Sequence, residues 1–218
     1  MHRRRRTAFV VSAALLAGAP LLTACGSQAH PGAAALVGGD RIEVSAVQGQ
    51  VAAVREAQRD SPDAAQLIDK SGQLGRAKLH SLIFDRVLDR AARDAGVTVD
   101  RNEVQEMRKA AVAQSGGEER LRAAMLQQSW VAPGQIDAVL REQVQLTKLA
   151  QALGADLRQP EGQKLVGDAL GKASKALKVD VNPRYGTWND EQAQLAAYQA
   201  PWITQVTKPA DAAPESGA

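Results

Sequence analysis

Few residues in this chain are equipped for chemistry. One cysteine, Cys25, stands among 218 residues, and the three histidines are His2, His30 and His80. A single cysteine cannot close an intramolecular disulfide. His2 and His30 lie in N-terminal segments outside any predicted fold, and His80 alone supplies neither a zinc site nor the base of a Cys–His pair. Asp85 and Asp89 are one helical turn apart, the spacing of an acid–base pair. However, Asp89 with Arg93, and Arg90 with Asp94, are each four apart, so this face is expected to be solvated and ion-paired. Gly167-Asp168-Ala169-Leu170-Gly171-Lys172 has glycines and a lysine like a phosphate loop, but the spacing differs and Ala173 stands where Ser or Thr is needed, so a helix carrying glycines is expected. Lys172, Lys175 and Lys178 are read as a solvated helix face rather than a contact for acidic lipid. No catalytic residue, metal or cofactor is expected.

Cys25 carries the strongest positional signal. Arg3 to Arg6 form an arginine cluster, and residues 7–22 contain no charge. This is a basic head followed by an apolar run, the pattern of an export signal rather than of a membrane span, which needs about 20 apolar residues. Leu22-Thr23-Ala24-Cys25 resembles the bacterial lipobox, with leucine at −3 and small residues at −2 and −1. The resemblance implies that the Cys25 thiol takes a diacylglyceryl group before cleavage in front of it, giving an anchor on the extracytoplasmic face of the cell membrane. The alternative is an ordinary signal that ends near a cysteine, which would leave a reactive exported thiol. Two export routes stand, because Phe9 sits one place too far from Arg5-Arg6 for a good twin-arginine match.

Removing residues 1–24 takes four of the 27 basic residues and leaves 23 against 24 acidic ones. The mature chain is therefore near −1, without the clustered positive face that nucleic acid requires. With Phe9 also gone, six aromatic residues remain of the three Trp, two Tyr and two Phe. The core must then be built from Leu, Val, Ile and Ala, which suits helix-on-helix packing. The mature length is enough for one sizeable core, or for one domain with an extension.

Residues 25–33 are expected to form a tether. Ala34-Ala35-Leu36-Val37 and Arg41-Ile42-Glu43-Val44 are predicted strands about a tight Gly38-Gly39-Asp40 turn. Ser45 with Gln48 has the spacing of a capping box for a helix carrying Val47, Val51 and Val54 and ending before Pro62. A polar loop is expected through Ser71-Gly72. The longest predicted helix spans residues 75–95 and has Gly96 beyond its end. Asp100 with Glu103 forms a second capping box, opening a helix with Val104, Met107 and Ala111 inward. Residues 118–128 form a short helix, Trp130 to Pro133 a turn, and Pro133 starts a helix with Ile136, Val139, Leu140, Gln143, Leu146 and Ala150 on one stripe. Pro160 starts another with Leu165, Ala169, Leu170, Ala173 and Leu177. Residues 178–181 alternate like a strand, 182–188 form a turn, and 207–218 are expected to be disordered.

In this order the segments resemble the SurA/PrsA extracytoplasmic folding factors. Residues 35–45 resemble their opening strand–turn–strand–helix, and Gly96-Val97-Thr98-Val99-Asp100 resembles their link between two helices. Trp130 to Val144, and Val181 to Trp188, resemble later segments of the same family. The resemblance implies a mainly α fold, a helical module closed by a small sheet of N-terminal and C-terminal strands over residues 34–206. Only about 30 residues separate Leu149 from Val179, too few for the parvulin isomerase domain that many relatives insert there, since a domain needs about 50 or more. The implied function is a lipid-anchored chaperone or holdase for unfolded or exported polypeptides, without prolyl isomerase activity. The alternative is an anchored protein that docks one dedicated envelope partner. A shallow apolar groove is expected, with Met107, Met125 and Trp130 as candidate lining residues because thioethers adapt to irregular partners; the alternative for each is a place in the core.

Overall fold

The computed structural model describes residues 31–196. The expected signal of residues 1–24, the anchor at Cys25 and the tail of residues 207–218 lie outside the described residues.

Strand β1 (Ala33–Val37) turns through Gly38 and Gly39 into β2 (Asp40–Glu43), with Leu36 opposite Arg41 and Val37 opposite Asp40. Both glycines have positive φ, 64° and 88°, as a two-residue hairpin turn of this hand requires. Gly38 also donates its N–H to the Leu177 carbonyl at 2.6 Å, and a Cβ there would meet the Leu177 side chain at 2.9 Å. Ala33 pairs with Glu43 and is fully buried, so the last residue of the expected tether belongs to the sheet. Strand β3 (Asp180–Val181) adds to the other edge of β1, giving the order β2-β1-β3, so the strand expected at residues 178–181 closes the sheet with the N-terminal strands.

Helix α1 (Val44–Arg59) runs on from β2 without a loop. The predicted Ser45–Gln48 capping box is absent: Glu43 is the N-cap residue, and the Val44 N–H donates to the Gly32 carbonyl at 2.8 Å instead. Ser45 is already inside the helix. Helix α2 (Ala64–Asp69) occupies part of the expected loop. Helix α3 (Leu74–Asp94) is the longest of the described helices, with Leu79, Ile83, Val87 and Leu88 wholly buried. Helix α4 (Arg101–Ser115) opens on the predicted capping box: Asp100 accepts from the Glu103 N–H and Glu103 accepts from the Asp100 N–H, both at 2.9 Å.

Helix α5 (Glu118–Ser129) leads through Trp130, which adopts a left-handed φ of 52°, to a 3-10 turn (Pro133–Gln135) and then α6 (Ile136–Ala152). Pro133 thus starts the turn rather than the helix itself. On α6 the expected stripe holds at Ile136, Val139, Leu140, Leu146 and Ala150 and fails at one position, where Gln143 is exposed and Gln145 is buried instead. Gln145 is held there by Asp89 of α3, to which its amide donates at 2.8 Å, and Arg141 donates to the same carboxylate at 3.3 Å. Asp89 therefore pairs across to α6 rather than with Arg93, while Arg90 and Asp94 pair at 2.9 Å as expected. Helix α7 (Pro160–Leu177) fills the interval between α6 and β3; its Leu165 is 49% exposed, and the adjacent Val166 is buried in its place. A hairpin of β4 (Thr187–Asn189) and β5 (Gln194–Ala196) follows where a turn alone was expected, with Trp188 opposite Leu195.

Among the described residues the fold is mainly α, with seven α-helices and two small antiparallel sheets. None of those helices is long and apolar enough to cross a membrane. The largest apolar cluster joins the first sheet to α3, α7 and β5. A second holds Val54, Leu67, Leu74, Leu126 and Ala132, and a third Val104, Leu121, Val131, Ile136 and Leu140.

Candidate functional site

The second cluster floors a surface groove. On α1 and its C-cap, Ala53, Glu56, Ala57 and Asp60 recur at helical spacing, forming a face beside the buried Val47 and Val54. This face stands opposite Ala123 and Leu126 of α5 and the segment Ala132-Pro133-Gly134, and the space between them is about 480 Å³. The walls are alanine, proline and leucine, with Glu56, Asp60, Ser61 and Arg122 as the polar groups of the lining. Small side chains on both walls keep the helices from filling their own interface, and that leaves the groove.

Two polar networks, one buried and one part-buried, hold its sides. Gln58 and Ser71, both fully buried, tie α1 to the α2–α3 connection. Gln58 donates to the Leu67 carbonyl at 3.1 Å, and Arg55 donates to Ser71 Oγ at 2.7 Å and to Gln58 Oε1 at 3.0 Å. Opposite, the Gln135 amide donates to Gln50 Oε1 at 2.7 Å and to its carbonyl at 3.1 Å, while Gln135 Oε1 accepts from Lys78 Nζ at 2.9 Å and from the Ala132 N–H at 3.2 Å. Each buried polar group left without a partner would cost about 1–3 kcal/mol, so these networks fix the walls.

Beside the groove lies a smaller polar cavity that contains Lys78, Asp85 and Glu142. Burial, and then the nearby Asp85 charge, push the Glu142 carboxyl up to about 7, and burial lowers the Lys78 ammonium to about 8. Asp85 is raised by burial and by the neighbouring Asp89. The sequence placed Asp85 on a solvated face; the structure turns it toward α6. His80 stacks on Phe84 with ring centroids 5.9 Å apart and leans on Trp188 at 5.8 Å, and burial lowers its pKa. Among the described residues no group of three or more His, Cys, Asp or Glu is placed to hold a metal.

Met107 and Met125 are half-buried against the third cluster, and Trp130 is half-buried against the second. The structure does not bring the three together, and none lines the groove, although Trp130 packs on the cluster that floors it. The wall residues Ala53, Ala57 and Ala123 were missed. Their signal was an alanine stripe with interspersed acids at helical spacing, apolar yet too small to be counted as core.

A family model described as SurA-like N-terminal domain matches residues 3–150. The matched span contains α1 to α5 and nearly all of α6, and so every groove residue; α7 and β3 to β5 lie beyond it. No curated protein and no solved structure matches the chain.

Proposed function

We propose, from the premise that the chain belongs to the SurA-like N-terminal domain family, that it is a lipid-anchored extracytoplasmic holdase for unfolded or exported polypeptides. Membership places it among chaperone-like folding factors that bind polypeptide. The observation that carries the finer reading is the open groove walled by Ala53, Ala57, Ala123 and Leu126. Such walls offer apolar contact without directional bonds, so varied segments can be held weakly and released. An unfolded client loses entropy as it is ordered, which keeps affinity low and selectivity broad.

This reading includes no prolyl isomerisation. Twisting an X–Pro bond crosses a barrier of about 18–20 kcal/mol, and catalysis needs groups that favour the twisted amide over the planar one. The groove's alanine and proline walls are suited to apolar contact rather than to that task.

The anchor would be Cys25. Each buried CH₂ contributes about 0.8 kcal/mol, and a single chain holds only marginally, so a diacylglyceryl group makes attachment durable. Cys25→Ala is expected to release the protein from the membrane fraction or leave it misprocessed. Intact-mass analysis of membrane-extracted wild type showing an unmodified thiol would remove the anchor from the account. The holdase itself is tested by light scattering of three unrelated denatured exported proteins diluted with the mature lipid-free chain. Suppression of aggregation in all three is expected, whereas suppression of one alone would favour a dedicated partner.

A further inference from the structure

Behind the groove wall, α3 and α6 border the polar cavity, about 160 Å³ in volume and half open, which is also lined by Gln50 of α1, Ser129 at the end of α5 and Gln135 of the 3-10 turn. Its titratable lining groups are Lys78 and Asp85 from α3 and Glu142 from α6; α1, α5 and the turn contribute neutral side chains. Asp89, Arg86 and Arg141 act on Asp85 from outside the cavity. Lys78 is only 7% exposed, and its ammonium donates to the neutral Gln135 amide oxygen. Among the described residues no ion pair joins Lys78 to Asp85 or Glu142. Three charged groups thus line one small, half-open cavity without neutralising one another at contact distance.

The cavity also communicates with the groove. Gln135 accepts from Lys78 on the cavity side and from the Ala132 N–H on the other, and its amide clasps Gln50 of α1. Ala132, Pro133 and Gly134 are groove wall. One side chain therefore stands between the buried charges and the wall.

We propose that this cavity is a proton-operated latch on the groove: with Lys78, Asp85 and Glu142 all charged the turn at residues 132–135 loosens, and neutralising either the carboxylate pair or the lysine tightens it. The consequence for client capture rests on the groove reading; the latch itself does not. The physical cause is the cost of holding two carboxylates and an ammonium where partial burial disfavours their charged forms, which opening relieves.

The direction of the pH response follows from linkage. Glu142 is raised in the folded protein from 4.5 to about 7, so its stabilising contribution is full below about 4.5, falls as pH rises and is gone above about 7. Asp85, also raised, acts in the same sense. Lys78 is lowered from 10.5 to about 8, so its contribution is full above about 10.5 and lost as pH falls through about 8. The latch is weakest between about pH 7 and 8. His80 and other groups add their own pH dependence, so the informative quantity is the difference between wild type and a variant.

Urea unfolding of the mature chain from pH 5 to 10, wild type beside Glu142→Gln and Lys78→Met, tests this. The ratio of the wild-type folding constant to that of E142Q is expected to fall by at least about tenfold between pH 5 and 7.5, and the ratio to that of K78M to rise by at least about tenfold between pH 7.5 and 10. Exchange of the Ala132 and Gln135 amides, corrected for intrinsic rate, should be fastest near pH 7–8 in wild type and slower in E142Q. Profiles of wild type and E142Q that run parallel would overturn the latch. Should E142Q fail to fold, the Glu142 carboxyl carbon shift in wild type decides: a midpoint near 7 supports the latch and one near 4.5 overturns it. Loss of client capture at every pH, with the stability profiles as expected, would sink the groove reading and leave the latch standing.

Discussion

Gly162 and Gly167 lie five residues apart on α7 and answer to opposite constraints. A Cβ on Gly162 would sit 2.1 Å from the Asp156 carbonyl oxygen and 2.7 Å from its nitrogen, so the connection before α7 lies directly on the first helical turn. Backbone cannot swing aside as a flexible side chain can. Gly162→Ala is expected to destabilise the domain by about 2 kcal/mol or more, and a melting curve like wild type would show that the connection yields. Gly167 meets open space at the same test. Gly167→Ala should therefore stabilise by about 0.5–1 kcal/mol, through helix propensity and a restricted unfolded chain, raising the melting temperature by about 1–4 °C. At this scale the sequence was legible where a residue acts locally. The Asp100–Glu103 capping box was found because its two bonds need only a three-residue spacing, whereas Asp85 was misplaced because its partner Glu142 is 57 positions away. No local pattern encodes that meeting.

Among the elements, β3 and the β4–β5 hairpin close the fold. Val181, Ala193 and Leu195 are buried in the cluster that contains α3 and β1, and the Trp188 indole donates to Ser174 Oγ of α7 at 2.7 Å. Ser174 in turn bonds Asp190. Truncation after Leu177 removes the third strand from a sheet whose remaining hairpin is marginal alone. The melting temperature of the whole domain should fall by several degrees or more, each 1 kcal/mol being worth about 2–4 °C at this size. An unchanged curve would show that the C-terminal strands are merely appended. The sequence announced β3 by its alternation and its family position, yet hid the hairpin. Its strands have three residues each, and its turn places Ala193 at a left-handed φ of 46° without a glycine to mark it. Helix α2 was hidden for a related reason: in six residues only Leu67 is buried, too few to show a period. The long helices were legible because each repeats its apolar face over several turns.

For the molecule as a whole, the mainly α class and the order of the long helices were legible because small aliphatic residues recur at helical spacing throughout, and the family match spans that order as far as α6. The groove was not located from sequence. Met107, Met125 and Trp130, the adaptable large side chains, pack partly into clusters, while the open space lies where the side chains are smallest. A surface that holds clients by apolar contact, on a chain with 23 basic and 24 acidic residues after position 24, should work almost equally at low and moderate salt. Ala123 is exposed on the groove's α5 wall, outside the polar networks that hold it. Ala123→Glu should leave stability within about 0.5 kcal/mol while placing a charge where a client's apolar side chain must sit. The most direct test is aggregation of a denatured exported protein, followed by light scattering, with wild type or A123E at equal molar excess. Suppression by wild type and its loss, by about tenfold in the concentration required, in an A123E protein that melts normally is the predicted result; equal suppression by both would contradict the groove as the site of capture.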